Sequence, residues 1–334
     1  MRVLVTGHRG YIGVHLVDLL KAAGHHVTGC DLGLFEKCEW EPFVKADIEI
    51  NKDIRHLTVS ELEGFDCLMH LAAISNDPMG DLDPVITYSI NREGSVSLAK
   101  KAKEAGIPRF LFASSCSIYG KGEQLDVTEK NAVAPLTAYA ESKITAEECL
   151  RELADDNFSP ISLRNATAYG HSPMLRIDLV ANNLLACALA KGDIRVMSDG
   201  SPWRPLIHCR DIARAFIAFM YAPKAKVHNK VVNVGSNKEN YQVRDILNYV
   251  KKLVPTANVV YTGEVGADPR NYRVNFDYLS ELLPDFAIAY PLERGLDELH
   301  QKYKKFNFQS HHFDGDQFVR LRTLRKNLHK ISKT

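Results

Sequence analysis

The chain opens with Met1-Arg2-Val3-Leu4-Val5-Thr6-Gly7-His8-Arg9-Gly10-Tyr11-Ile12-Gly13 and reaches Val27-Thr28-Gly29-Cys30-Asp31 soon after. Met1 to Thr6 is a short apolar, β-rich run, and the glycines behind it are spaced G-x-x-G-x-x-G. Ile12, Leu16, Val17, Leu19 and Leu20 then share one apolar helix face, which Gly24 closes. Val27 to Cys30 is a second strand, ending in Asp31. Strand, glycine turn, helix, strand and acid together predict a dinucleotide-binding βαβ unit. Glycines let the backbone turn tightly and approach a pyrophosphate. The helix N-terminus adds free N–H groups and a positive dipole end. A carboxylate at Asp31 accepts hydrogen bonds from ribose hydroxyls and repels a 2′-phosphate, which favours NAD over NADP.

Further strand ends follow in order. Phe65-Asp66-Cys67-Leu68-Met69-His70 runs into Leu71-Ala72-Ala73, Arg109-Phe110-Leu111-Phe112-Ala113 runs into Ser114-Ser115-Cys116-Ser117, and Pro160 to Arg164 is a third. Helical stretches lie between them, one from about Pro84 to Gly106. This alternation predicts an α/β fold, a doubly wound parallel sheet whose ligands bind beyond the carboxyl ends of its strands. A helix-favouring run to Leu153 carries Tyr139 and Lys143, which at i and i+4 share one face. A nearby ammonium favours phenolate over phenol, which would lower the Tyr139 pKa and make it a candidate base.

With these blocks assembled, the chain resembles an extended short-chain dehydrogenase/reductase of the nucleotide-sugar epimerase/dehydratase family. The residues that carry the resemblance are Gly7, Gly10 and Gly13; Asp31; Asp47-Ile48; His70-Leu71-Ala72-Ala73; Asn91 with Gly94; Ser115 within Ser114 to Gly120; and Tyr139 with Lys143. Arg204-Pro205-Leu206-Ile207-His208 before Asp211, and Val232-Asn233-Val234-Gly235, are similar to later blocks of the family. The resemblance implies a Rossmann-type domain over residues 1–170, rejoined by 211–237. A smaller, discontinuous α/β substrate domain is implied over 171–210 and 238–303. It implies NAD contacts from Gly7, Gly10, Tyr11, Ile12, Gly13, Asp31, Asp47, Ile48, Leu71, Ala72, Ala73, Asn91, Tyr139 and Lys143. It also implies catalysis by Ser115, Tyr139 and Lys143, and a homodimer joined through helices near Val85 to Ala105 and Ala138 to Ala154.

The implied substrate is a nucleotide-diphosphate sugar, oxidised to a keto-sugar that is then epimerised, dehydrated or released. Guanidinium forks suit diphosphates, so Arg176, Arg204 and Arg270 are candidate substrate ligands, with Arg273 competing with Arg270. Ser117 and Thr167 are further candidates. Family dehydratases carry an Asp-Glu pair directly after the residue equivalent to Ser115, where this chain has Cys116 and Ser117. That departure favours epimerisation. Thr167 stands where family epimerases carry asparagine, which keeps a C4-oxidoreductase open. A relative that binds NAD without catalysis would be expected to lose Ser115, Tyr139 or Lys143, and all are present.

Lys and Arg number 42 against 41 Asp and Glu, a net charge of +1. That balance argues against a nucleic-acid or membrane role. No apolar run approaches the ~18 residues of a membrane span, and the chain enters its first strand at once, with no room for a signal peptide. The seven cysteines are scattered without a C-x-x-C, as expected of reduced thiols in a cytoplasmic protein. Cys116 reads as a packing residue, with an acid–base role as the alternative. The histidines show no metal-ligand spacing. Residues 304–334 form a basic extension beyond the resemblance, with Arg320, Arg322, Arg325, Lys326, Lys330 and Lys333. Phe318, Leu321, Leu324 and Leu328 recur there at helical spacing. A helix packed on the domain or on a partner subunit, its charged face solvated, is expected.

Overall fold

The computed structural model describes residues 1–75, 77–120, 126–261 and 270–331. Residues 262–269 of the implied substrate domain and Lys333 of the basic extension lie outside them. Seven parallel strands form the central sheet: β1 (Arg2–Thr6), β2 (His26–Asp31), β3 (Ile48–Asn51), β4 (Cys67–His70), β5 (Arg109–Ser115), β6 (Ser159–Asn165) and β7 (Lys230–Val234). Their spatial order is β7-β6-β5-β4-β1-β2-β3. The order reverses between β1 and β4, so the crevice opens where the loops behind those two strands part.

Sequence pattern explains the burial on each face. Val3 and Val5 point to one side of β1 and Leu4 to the other, and all three are fully buried. Val3 and Val5 pack with Leu16, Val17 and Leu20 of helix α1 (Gly13–Ala22). Leu4 packs with Leu68, Phe110 and Phe112, under Leu98, Ala146 and Leu150 from helices on the opposite face. Two-sided burial is the reason the strands read as near-continuous apolar runs. A further apolar cluster gathers Leu184, Leu185, Ile194, Leu206, Ile246, Val250, Leu296 and Leu299 from later in the chain. The short strands Thr167–Tyr169, Trp203–His208 and Asn240–Gln242 form a small sheet beside it.

Between Pro84 and Glu104 the helix predicted from sequence is interrupted by a π-helical turn over Ser89–Gly94. The helix that carries the tyrosine, α2 (Ala138–Leu153), starts at Thr137, whose hydroxyl accepts from the Ala140 N–H at 3.2 Å. One turn beyond Lys143, Glu147 is buried at 3 % exposure and forms a forked pair with Arg164 of β6, the shortest contact being 2.7 Å. Ser114 also donates to Glu147. Arg164 in turn donates to Tyr119 at 3.0 Å, and Tyr119 to Asn233 of β7 at 2.7 Å. This buried chain of polar groups fixes α2 against β5, β6 and β7.

Glu147→Ala should therefore leave the Arg164 guanidinium buried without its counter-charge. A loss of about 3–5 kcal/mol is expected from urea unfolding; a loss below about 1 kcal/mol would mean the pair does not hold α2 in place.

Candidate active site

At Gly7 the chain turns with φ +72°, and a Cβ there would sit 2.7 Å from the Ala72 backbone nitrogen. At Gly13 a Cβ would lie 2.2 Å from the Gly7 carbonyl oxygen. Only glycine fits either place. The turn leads into the N-terminus of α1. Asp31, ending β2, accepts from the Gly33 N–H at 2.8 Å and the Arg9 N–H at 3.3 Å, so its carboxylate is aimed before any ligand arrives. Leu32, Leu34 and Phe35 continue this wall. Glycine turn, helix end, acid and apolar wall suit an adenine dinucleotide.

The crevice is about 910 Å³, in the upper part of the range for ligand pockets. Gly7, Gly10, Tyr11, Ile12, Gly13, Asp31, Leu71, Ala72 and Ala73 line it, as do Ser115, Ser117, Tyr139, Lys143 and Thr167. Arg176, Arg204 and Arg270 line it too. Arg273 does not: it pairs with Asp126 at 3.0 Å and lies over the Trp203 ring.

Asp47 and Ile48 fall elsewhere and correct the sequence reading. β3 starts at Ile48, so this pair lies at the amino end of the strand, away from the crevice. Asp47 there accepts from the Val27 N–H and pairs with Lys21, both at 2.8 Å. The acid–isoleucine pair that lines the crevice is Asp53-Ile54, past the carboxyl end of β3. The two pairs share an acid–isoleucine composition, and only the extent of β3 separates them. Asn91 is also corrected. It is buried within the π-helical turn and clamps both backbone groups of Ile74, at 2.8 and 2.9 Å. It shapes the loop behind β4 and does not line the crevice.

Ser115 accepts from the Ser117 N–H at 3.1 Å, which leaves its own proton free to donate. It sits beside the Tyr139 phenol and favours the ionised form. Lys143, 2 % exposed, donates to the Ala113 carbonyl at 2.8 Å, and its Nζ lies 5.7 Å from the Tyr139 ring centroid. The expected lowering of the phenol pKa is not what this arrangement gives. Burial, then Asp77, push Tyr139 up to about 12, against the opposing pull of Arg176, Ser115 and Arg270. Burial also pushes Lys143 down to about 7, with Glu147 opposing. A lysine that sheds its own proton near neutrality is a weak counter-charge for the phenol.

Asp77 was missed in the sequence because it falls in a turn-like Asp77-Pro78. It ion-pairs with Arg270 at 2.8 Å and accepts from Thr137, the residue that caps α2, at 2.6 Å. Arg176 is held by Asp178 and by Ser75, the latter at 3.1 Å. Arg204 donates to the backbone carbonyls of Trp203 and Arg270, at 2.8 and 2.6 Å. Ser117 Oγ and Asn165 Oδ1 are buried on the wall without hydrogen-bond partners, as groups awaiting a ligand's hydroxyls would be. Cys116 is buried and donates to the Arg164 carbonyl, consistent with packing.

Crevice and turn define an NAD-dependent enzyme built on a Rossmann-type sheet. The chain belongs to the NAD dependent epimerase/dehydratase family, whose model matches residues 3–235. It is 33 % identical over 231 residues to UDP-glucose 4-epimerase of Mycolicibacterium smegmatis, covering 65 % of this chain and 72 % of that one. It is 26 % identical over 315 residues to UDP-glucuronic acid decarboxylase 1 of Danio rerio, covering 91 % and 73 %. Among solved structures, UDP-glucuronic acid 4-epimerase from Bacillus cereus in complex with UDP-glucuronic acid and NAD superposes with a TM-score of 0.78 at 25 % identity, covering 91 % and 99 %. No helix among the described residues is long and apolar enough to cross a membrane.

The lowered Lys143 pKa has a measurable sign. Between about pH 7 and the ordinary lysine range, the unfolded chain holds a proton that the folded chain has released. Stability therefore rises with pH across that window, and the cost of burying the ammonium is fully present below it. Lys143→Met should exceed the wild type by about 1–3 kcal/mol near pH 6 in urea unfolding. The gap should close towards about pH 10; equal stability near pH 6 would show that the ammonium pays no desolvation cost.

Proposed function

We propose that the protein epimerises a nucleotide-diphosphate sugar through a keto-sugar intermediate, with Tyr139 as the base. The observation that carries this reading is the convergence of Ser115, Tyr139 and Lys143 on one crevice wall, with no carboxylate at the two positions after Ser115. In this reading NAD, when bound, accepts the hydride from the sugar carbon and later returns it, and its positive ring favours the phenolate. Gly7, Gly10, Gly13 and Asp31 hold that cofactor. Tyr139 takes the proton of the sugar hydroxyl as the carbonyl forms and gives it back when the carbonyl is reduced. Ser115 donates to the reacting oxygen. Arg176, Arg204 and Arg270 bind the diphosphate. Ser117, Asn165 and Thr167 meet sugar hydroxyls. Among the described residues of 171–210 and 238–303, Arg176, Met197, Arg204, Val243, Arg270 and Tyr272 line the crevice on the substrate's side.

Dehydration is disfavoured because the thiol of Cys116, pushed up by burial, and the hydroxyl of Ser117 replace the carboxylates that water loss uses. Asp77 is the carboxylate closest in effect to Tyr139, and it is committed to Arg270 and Thr137. Thr167 in place of the family asparagine favours a C4-oxidoreductase as second reading.

Two experiments check the assignment. With UDP-glucose or UDP-glucuronic acid, an NADH signal that rises and returns to baseline, accompanied by an isomer of unchanged mass, is expected. Stoichiometric NADH accumulation would shift the activity to a dehydrogenase, and a product lighter by carbon dioxide to a decarboxylase. Tyr139→Phe should keep NAD bound and slow turnover by about 10²- to 10⁴-fold, whereas near-normal turnover removes the phenolate from the mechanism.

A further inference from the structure

The basic extension does not lie idle on the surface. Phe318 is fully buried, with its ring centroid 5.7 Å from that of Trp40. From there helix α3 (Arg320–Asn327) crosses towards the first half of the chain. Asn327 donates to the Leu34 carbonyl at 2.6 Å, and Arg55 donates to the Ile331 carbonyl at 3.0 Å. Leu324 and Ile331 are each 1 % exposed and join the core that holds Ile54 and Ile74. Arg320 and Leu324, one helical turn apart, both line the crevice, while Arg322, Arg325 and Lys326 are exposed. Sequence reading grouped all of these cations as one solvated face; Arg320 is the exception, at 4 % exposure.

A guanidinium so deeply buried normally has a carboxylate partner, because an unpaired buried charge is strongly disfavoured. Two other arginines of this crevice obey the rule: Arg176 pairs with Asp178 and Arg270 with Asp77. Arg320 donates to the Met174 carbonyl and lies over the Phe35 ring at 5.0 Å, and its Nε is buried with no partner. No carboxylate among the described residues ion-pairs with it. Phe35 lies just past Asp31 on the apolar wall described above, and Arg176, Asp178 and, more weakly, Asp31 act on Arg320 through space.

Resting on the NAD-binding reading of this crevice, we infer that Arg320 is a ligand of the dinucleotide's diphosphate, delivered by a C-terminal segment outside the span of the family model. The missing counter-charge is what a diphosphate supplies, and a forked guanidinium suits its oxygens. The substrate's diphosphate, assigned above in part to Arg176, is the competing partner, because Arg176 also acts on Arg320; what favours the dinucleotide is the place of Arg320 over Phe35, just past Asp31.

Calorimetric titration of wild type, Arg320→Gln and Arg320→Lys with NAD, ADP, adenosine and UDP tests this directly. R320Q should bind NAD and ADP roughly tenfold or more weakly. Its adenosine affinity should stay within about twofold, and R320K should recover part of the loss. Unchanged NAD and ADP affinity overturns the inference. So does an equal loss for adenosine, which would mark a packing role or a loosened fold, and so does a loss confined to UDP. A wild-type protein that failed to bind NAD would instead overturn the reading on which this rests.

Discussion

The crevice depends on one close approach of backbone to backbone, that of Gly7 to Ala72. β1 and β4 lie side by side, and the loops behind them leave in opposite directions. A side chain at Gly7 would strike the Ala72 backbone and one at Gly13 the Gly7 carbonyl, so the turn closes only with glycine at both. With the turn closed this tightly, α1 starts directly behind the loop and its free N–H groups face the gap. Asp31 is set on one side. From the other side, β5 brings Ser115 and α2 brings Tyr139 and Lys143. The glycine turn and Asp31 thus share one crevice with Ser115, Tyr139 and Lys143.

The polar groups around that point are arranged so that burial works against charge. Tyr139 is held as a phenol and Lys143 sits near the midpoint of its titration, both through loss of water. Neither group is a strong base or acid in the cofactor-free chain. Under the mechanism proposed above, the phenolate forms only once the positive ring of NAD stands beside it. The buried Glu147–Arg164 pair braces this neighbourhood, since with Ser114, Tyr119 and Asn233 it ties α2 to three strands beneath it.

Much of this was readable before any coordinates. The G-x-x-G-x-x-G turn, Asp31, Ser115, Tyr139 and Lys143 are all local signals: each is a residue type at a spacing set by one turn or one strand. What escaped was non-local. Asp47-Ile48 has the right composition at the wrong end of β3, and only the strand's extent distinguishes it from Asp53-Ile54. Asn91 was expected to contact NAD, but it clamps Ile74 instead, across a loop whose path the sequence does not reveal. The Tyr139 pKa depended on the depth of water exclusion, which helical spacing does not encode. Arg320 reads as one more cation on an amphipathic helix, and nothing local says that its face docks against Phe35 and Met174.

Among the described residues β3 ends one side of the sheet, and its outer row of N–H and C=O groups has no neighbouring strand. It is only four residues long and carries Glu49, with Asp47 just ahead of it. Short length and acidic flanks are the means by which soluble sheets discourage a second molecule from adding a strand. On β3 the exposed Ile48 lies between two carboxylates that are already paired, Asp47 with Lys21 at 2.8 Å and Glu49 with Arg9 at 2.6 Å, so it is the shortness of the strand that limits what a second molecule could add there.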